Sequence, residues 1–204
     1  MKLIIASNNE NKINEIKRIC QNLKFEIKSL KESNIFLDIV EDGHTISENS
    51  FKKAKAIYDY LVLLGEKEFL VLSDDSGLMV DFLNGKPGVF SARYSGENAT
   101  DEQNNLKLLS ELKNVNYENR CAKFVTVLTL FDEFGFWKQF YGSIKGKILC
   151  QERGNNGFGY DSLFFVEEKQ KTFAQLSKDE KNMISHRYRA LEKLNEYFEN
   201  MHKH

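Results

Sequence analysis

The sequence is short of most features that mark a special class of chain. It has a single proline, Pro87, no internal repeat and no linker-like stretch. Its 204 residues therefore read as one large domain, or one domain with two lobes, able to bury a sizeable core. The three cysteines, Cys20, Cys121 and Cys150, are odd in number and far apart. They form neither a metal spacing nor a disulfide framework, which points to a reducing compartment. Cys20 falls on a helical apolar face and reads as core. No uninterrupted apolar run approaches the roughly 18 residues a membrane span needs, and Met1–Ala6 is too short an apolar run for a signal peptide. There is no excess of either charge: 29 Lys and Arg stand against 30 Asp and Glu. Without a global basic footprint no nucleic-acid partner is expected, and an anionic ligand must be held by locally placed cations. The expectation is a soluble, cytoplasmic protein.

What is present is organised around Phe69–Asp81, FLVLSDDSGLMVD. Phe69 to Leu72 form an apolar run suited to a strand buried on both faces. Ser73, Asp74, Asp75, Ser76 and Gly77 follow. Two adjacent carboxylates at the end of a buried strand repel one another and resist burial. A divalent cation relieves both costs. A strand-ending turn is the plainer reading, because Asp, Ser and Gly all favour turns.

Around this stretch the chain alternates strands and helices. Leu3–Ala6 reads as a buried strand, and Ser7-Asn8-Asn9-Glu10-Asn11-Lys12 leads into a helix with Ile13, Ile16, Ile19, Cys20 and Leu23 on one face. Strand, polar turn and helix present free backbone N–H groups to an anion; simple capping by Ser or Asn is the alternative. Phe25–Leu30 is a second strand. Thr45 and Glu48 make a capping box for a helix with Ala54, Ile57, Tyr58, Leu61 and Leu64 inward. Lys52, Lys53 and Lys55 lie near its start, against the helix dipole. Thr100 and Gln103 open a helix with Leu106, Leu109 and Leu112 inward. Ala122–Phe131 and Phe136–Ile148 form a long β-hairpin. Its aromatics (Phe134, Phe136, Trp137, Phe140, Tyr141) read as core and sheet packing. The loop Arg153–Asp161 is glycine-rich, with Phe158 and Tyr160 placed to stack on a base. Ser162–Val166 is a short strand. Ser177 and Glu180 make another capping box, and Lys181, His186 and Arg187 gather donors ahead of a terminal helix with Leu191, Leu194 and Phe198 inward.

Taken together, these segments resemble the inosine triphosphate pyrophosphatase family over Ser7–Leu191. The family's S/T-x-N-x-x-K appears as Ser7, Asn9 and Lys12. Its acidic residue before a glycine appears as Glu41, and its E-N-x-x-x-K-A as Glu48, Asn49, Lys53 and Ala54. D-D-S-G-L is Asp74–Leu78, P-G-x-x-S-A-R-Y is Pro87–Tyr94, G-F-G-Y-D is Gly157–Asp161 and S-H-R-x-x-A-L is Ser185–Leu191. Ser50 stands where the family mostly has alanine, read as a neutral change. Ser162 replaces a usual proline, and Asn155 and Asn156 lie in a stretch that is often richer in glycine; these bear on how the base-side loop is held.

The resemblance implies an elongated α/β fold: a mixed central β-sheet flanked by helices, in two lobes with the active-site cleft between them. Residues 1–204 would form this single domain, with an untethered tail over 201–204. It further implies a homodimer, Mg2+ dependence, and hydrolysis of ITP, dITP or XTP to the monophosphate and pyrophosphate. Asp75 would be the proton acceptor, and Glu41, Asp74 and Asp75 would hold the metal. Ser7, Asn8, Asn9, Glu10, Asn11, Lys12, Lys53 and Ser76 would hold the triphosphate. Phe158, Gly159, Tyr160, Asp161, Lys181, His186 and Arg187 would form the base end. A pyrophosphatase for another modified base, or a nucleotide or RNA binder using the aromatic hairpin, are the competing readings.

Overall fold

The computed structural model describes residues 1–21 and 23–201. The chain runs β1 (Lys2–Ala6), α1 (Glu10–Ile19), β2 (Glu26–Ser29), α2 (Ile46–Leu63), β3 (Phe69–Val80), α3 (Asp101–Glu111), β4 (Cys121–Asp132), β5 (Trp137–Ile148), β6 (Phe164–Val166), β7 (Lys171–Thr172), α4 (Lys178–Asn182) and α5 (His186–Met201), with short 3-10 turns between. The strands make one open mixed sheet in the order β2-β1-β3-β4-β5-β6-β7. β1 pairs in parallel with β2 and β3, while β6 pairs antiparallel with β5 and β7. Of the expected tail, Met201 ends α5, and residues 202–204 lie outside the described residues.

β3 differs from its sequence reading in a way that matters. It does not end at Leu72; it continues through Ser73-Asp74-Asp75-Ser76-Gly77 to Val80. The turn propensity of these residues is overridden by the sheet around them: β1 pairs with β3 as far as Ser73, and β4 is the neighbour on its other edge.

The chain divides into two compact units, with boundaries after Asp75, Val125, Gly142 and His186. The first comprises residues 1–75, 126–142 and 187–204. Its sheet is covered on both faces, so β1 is apolar at consecutive positions. Leu3 and Ile5 of β1, Leu70 and Leu72 of β3, and Leu128 and Leu130 of β4 pack with Ile13 and Ile16 of α1 and Leu191, Leu194 and Phe198 of α5. The alternate residues, Ile4, Ala6, Phe69, Val71 and Phe131, pack with Ala54, Ile57 and Leu61 of α2. This period of two assigns the side chains of β3 from Phe69 to Leu72 alternately to one helical layer and the other. Cys20 is in the first layer, and burial pushes its thiol up to about 12, as befits an inert core residue. Leu64, expected inward, is exposed just past the end of α2.

The second unit comprises residues 76–125 and 143–186. Its core joins Leu78 and Val80 to Leu108, Leu112, Phe124, Ile144, Ile148, Phe164, Phe173 and Leu176. The Thr100–Gln103 capping box is complete. Buried Arg120 donates to the carbonyls of Leu112, Val115 and Leu149, placing a cation at the negative end of α3. Leu106, expected inward, is exposed; Leu108 is the buried residue of that turn. On the β4–β5 turn, which belongs to the first unit, Phe134 is 85% exposed and Phe136 59%, so of the five aromatics from Phe134 to Tyr141 Phe140 alone is buried. Trp137, half exposed, sits edge-on to Phe51.

Candidate active site

Because β3 continues as a strand, its adjacent aspartates point to opposite faces of the sheet and do not confront each other. Asp74 shares the face of Leu70 and Leu72, and meets α1 and α5. Arg187 Nε of α5 donates to its Oδ2 at 2.7 Å and Nη2 to Oδ1 at 3.4 Å. Lys12 Nζ of α1 lies 2.8 Å from Oδ1. Arg187 is in turn bonded to Glu15, one helical turn beyond Lys12 on α1. Asp74 and Arg187 are fully buried. Burial alone would push the Asp74 carboxyl up, but the charges of Arg187 and Lys12 outweigh it and hold the group well below the usual carboxylate range.

Asp75 shares the face of Val71 and Ser73 and meets α2. Lys53 Nζ donates to Asp75 Oδ1 at 2.8 Å and to Glu41 Oε2 at 3.3 Å, so one buried ammonium bridges two carboxylates. Burial pushes the Asp75 carboxyl above its ordinary value. The charges of Lys53 and Lys12 oppose that shift and Glu41 adds to it. Burial weakens Lys53 as a cation, but Asp75 and Glu41 more than compensate and its pKa is raised. Lys52 and Lys55 are surface cations, paired with Asp42 and Asp59.

The carboxylates expected to share a metal are thus divided. Asp75 and Glu41 meet on Lys53, while Asp74 faces the other helical layer with its oxygens bonded to Arg187 and Lys12. Among the described residues no three His, Cys, Asp or Glu side chains gather as a metal site. Two hard carboxylate groups brought together on one ammonium suit Mg2+, which is held through one or two carboxylates plus substrate phosphates. The Ser7–Lys12 segment caps α1: Asn9 Oδ1 accepts from the Lys12 backbone N–H at 3.1 Å, and Ser7 Oγ accepts from Asn9 N at 3.2 Å. Asn8, Asn9, Glu10 and Asn11 are exposed around that helix N-terminus, Ser7 is partly buried, and Ser76 follows Asp75 half-buried.

The base-end residues form a second cluster around Asp161. Its Oδ2 accepts from Lys181 Nζ at 2.6 Å and from the Phe158 backbone N–H at 3.0 Å. Lys181 Nζ lies 4.8 Å from the centre of the Phe158 ring and 5.4 Å from that of Phe173. His186 is buried and stacked on Phe124, with ring centres 4.8 Å apart. Tyr160, one of two stacking candidates, is buried with its hydroxyl donating to the Ser91 carbonyl, which leaves half-buried Phe158 as the aromatic at the loop surface. Arg187, grouped by sequence with Lys181 and His186, is bonded instead to Asp74 and Glu15. The loop itself is pinned by α3: Asp101 accepts from Gly159 N at 2.6 Å, and Asn105 Nδ2 reaches Gly159 O and Ser162 Oγ at 3.3 Å each. Ser162 Oγ donates to Glu152 at 2.6 Å, and Asn156 Nδ2 donates to the Leu176 carbonyl. The departures at Ser162 and Asn156 thus supply hydrogen bonds that hold the loop.

Sequence reasoning missed Glu15, Asp101 and Asn105. Glu15 carried one faint signal, its spacing of three from Lys12 on the same helix. Asp101 and Asn105 read only as polar positions of α3.

Comparison with known proteins agrees with these motifs. The Ham1 family profile matches residues 3–197. A dITP/XTP pyrophosphatase of Clostridium perfringens is 53% identical over 193 residues, covering 95% of each chain. One from Bacillus subtilis is 43% identical, covering 96% of each. The solved Ham1 protein of Staphylococcus aureus superposes with a TM-score of 0.86 at 41% identity, covering 98% of this chain and all of that one.

Proposed function

The chain belongs to the Ham1 family, and on that premise we infer that it is a nucleoside triphosphate pyrophosphatase. It hydrolyses deaminated purine nucleotides such as dITP, XTP and ITP to the monophosphate and pyrophosphate. The observation that carries the reaction is the identity with proteins named dITP/XTP pyrophosphatase, spread over nearly the whole of both chains. We propose that it clears damaged precursors from the nucleotide pool of the cytoplasm. Among the described residues no helix is long and apolar enough to cross a membrane. We propose too that it works as a homodimer, a reading favoured by the exposed apolar side chains of the β4–β5 turn.

The reaction needs in-line attack of water on the α-phosphorus, so catalysis consists mostly of positioning and charge stabilisation. We assign proton acceptance from that water to Asp75. Burial raises its basicity, and Lys53 fixes the carboxylate by its Oδ1 at 2.8 Å. Ser7–Lys12, Lys53 and Ser76 bind the triphosphate. Asp74 is assigned a supporting part, holding Lys12 and Arg187 in place. Glu41 and Asp75 are the residues that would hold Mg2+. When bound, the ion neutralises phosphate charge and makes pyrophosphate a better leaving group. Phe158 is assigned to stack on the purine, and Lys181, steadied by Asp161, to donate to its six-oxo group. Gly159, Tyr160 and His186 shape and support these groups, while Arg187 braces Asp74. Incubation with dITP and Mg2+, followed by product analysis, tests the assignment. Monophosphate and pyrophosphate are expected; diphosphate and orthophosphate as first products would overturn it.

A further inference from the structure

The face of α2 that carries Lys53 also carries a buried chain of hydroxyls for which the proposed chemistry has no use. Ser50, Ser73 and Thr129 are all fully buried. Ser73 Oγ donates to the Ser50 carbonyl at 2.6 Å, which commits its one proton. At the 2.9 Å contact between the two serines, Ser50 Oγ is therefore the donor. That commits the Ser50 proton, so at the 2.8 Å contact with Thr129 it is Thr129 Oγ1 that donates. Thr129 accepts in turn from Gln139 Nε2 at 3.0 Å, and the same amide donates to the Ser47 carbonyl at 3.0 Å. Gln139 Oε1 accepts from Ser47 Oγ at 2.8 Å and from Tyr141 OH at 2.7 Å. The directions follow from the donor inventory alone. Each buried hydroxyl donates once, and the chain joins α2 to β3, β4 and β5 without an unused proton.

Its position gives it a role. Ser50 lies three residues before Lys53 on one helix face, and Ser73 lies two residues before Asp75 on one strand face. The Ser50–Ser73 contact is therefore the neighbouring rung to the Lys53–Asp75 pair, between the same two elements. We propose that this hydroxyl chain is a positioning device for the reaction: by fixing how far α2 sits along β3, it sets Lys53 against Asp75. Ser50 touches neither group and acts through the helix that carries Lys53. Apolar packing is non-directional and tolerates small slides, whereas a hydrogen bond holds its partners within a few tenths of an ångström. Ser50 is then no neutral departure, as its position in the sequence suggested, but a residue that sets the geometry of the site. The proposal rests on the reading of Asp75 as proton acceptor.

The test is steady-state hydrolysis of dITP with Mg2+, with thermal unfolding measured alongside. Ser50→Ala removes the link beside the site; Thr129→Val cuts the chain one step further on with little change of shape. Each is expected to lower kcat by roughly 5- to 30-fold, a fraction of the ~10²-fold that a 1 Å misplacement costs, with KM within about 2-fold of the unaltered protein. In a Lys53→Met background, where the contact being positioned is gone, Ser50→Ala should cause no further loss of kcat. If Ser50→Ala fails to fold, Thr129→Val carries the test. A folded Thr129→Val or Ser50→Ala protein with kcat within 2-fold of wild type overturns the proposal, as does an equal loss in the Lys53→Met background. Failure of the unaltered protein to release pyrophosphate from any nucleoside triphosphate would instead remove the parent reading, and the positioning role with it.

Discussion

Replacing Asp74 by asparagine tests the division of the two aspartates directly. The change is nearly isosteric, so it perturbs charge rather than packing. Asp74 is fully buried and bonded to Arg187 and Lys12 at 2.7 and 2.8 Å. Removing one member of a buried ionic set costs about 3–5 kcal/mol, because it strands a charge without compensation. Glu15 still serves Arg187 and the amide oxygen still accepts one bond, so the lower end, about 3 kcal/mol, applies. For a chain of this size about 3 kcal/mol lowers Tm by roughly 6–12 °C. Asp75→Asn is the control. It removes a charge whose burial is itself unfavourable and keeps an acceptor for Lys53, so its Tm should fall by less than half as much. It should nevertheless lose roughly 10²-fold or more in kcat. Acid adds a second arm. The folded state holds Asp74 below its ordinary value of 3.8, so the folded form takes up that proton less readily than the unfolded chain. The stability contributed is complete above that value and is lost as pH falls further toward the folded-state pKa. The stability gap between the unaltered protein and Asp74→Asn, read from urea unfolding, should be full at pH 7 and shrink below about pH 3.8. Equal destabilisation by the two substitutions, or a Tm for Asp74→Asn within about 2 °C of wild type, would refute the opposite-face argument.

Lys181→Ala should erode preference for ITP over ATP more than it weakens triphosphate binding, since one charged hydrogen bond is worth about 10- to 150-fold; Lys12→Ala should weaken all triphosphates alike. A common factor on every nucleotide for both variants would contradict the division into a base end and a phosphate end. Gly157→Ala should raise KM for dITP, because Gly157 has φ +82 and a Cβ there would run into the Asp161 carboxylate that holds Lys181; an unchanged KM would show that Asp161 can move without consequence. EDTA should abolish pyrophosphate release and added Mg2+ should restore it, with turnover in EDTA counting against the role given to Glu41 and Asp75.

Much of this was legible from short-range pattern. The strands β1 and β2, the capped helices α2 and α3, the β4–β5 hairpin and the clustered motifs all announce themselves within a dozen residues. What escaped depends on distant partners or on parity. Asp74 and Asp75 look like mutually repelling neighbours in the sequence, and only the continuation of β3 separates them. Glu15 looks like an ordinary surface glutamate of α1; its partner Arg187 is 172 positions away. Ser50 and Thr129 are 79 apart, and neither is unusual in its own element. Leu64 and Leu106 were misread for a plainer reason. The first lies just past the last turn of its helix, and the second lies on the outward side of α3, more than half exposed.

The alternation of β3 makes the site sensitive to how residues are counted along that strand. A deletion or insertion of a single residue between Leu72 and Asp74 would keep the apolar run and both carboxylates. It would still deliver each following side chain to the wrong helical layer, sending Asp75 toward Arg187 and Asp74 toward Lys53. A two-residue change would restore the facing but displace the pair by about 7 Å along the strand, past the reach of the cations that now hold them. The strand therefore admits no change of length there, because the helical layers on its two faces fix in advance which face must carry which acid.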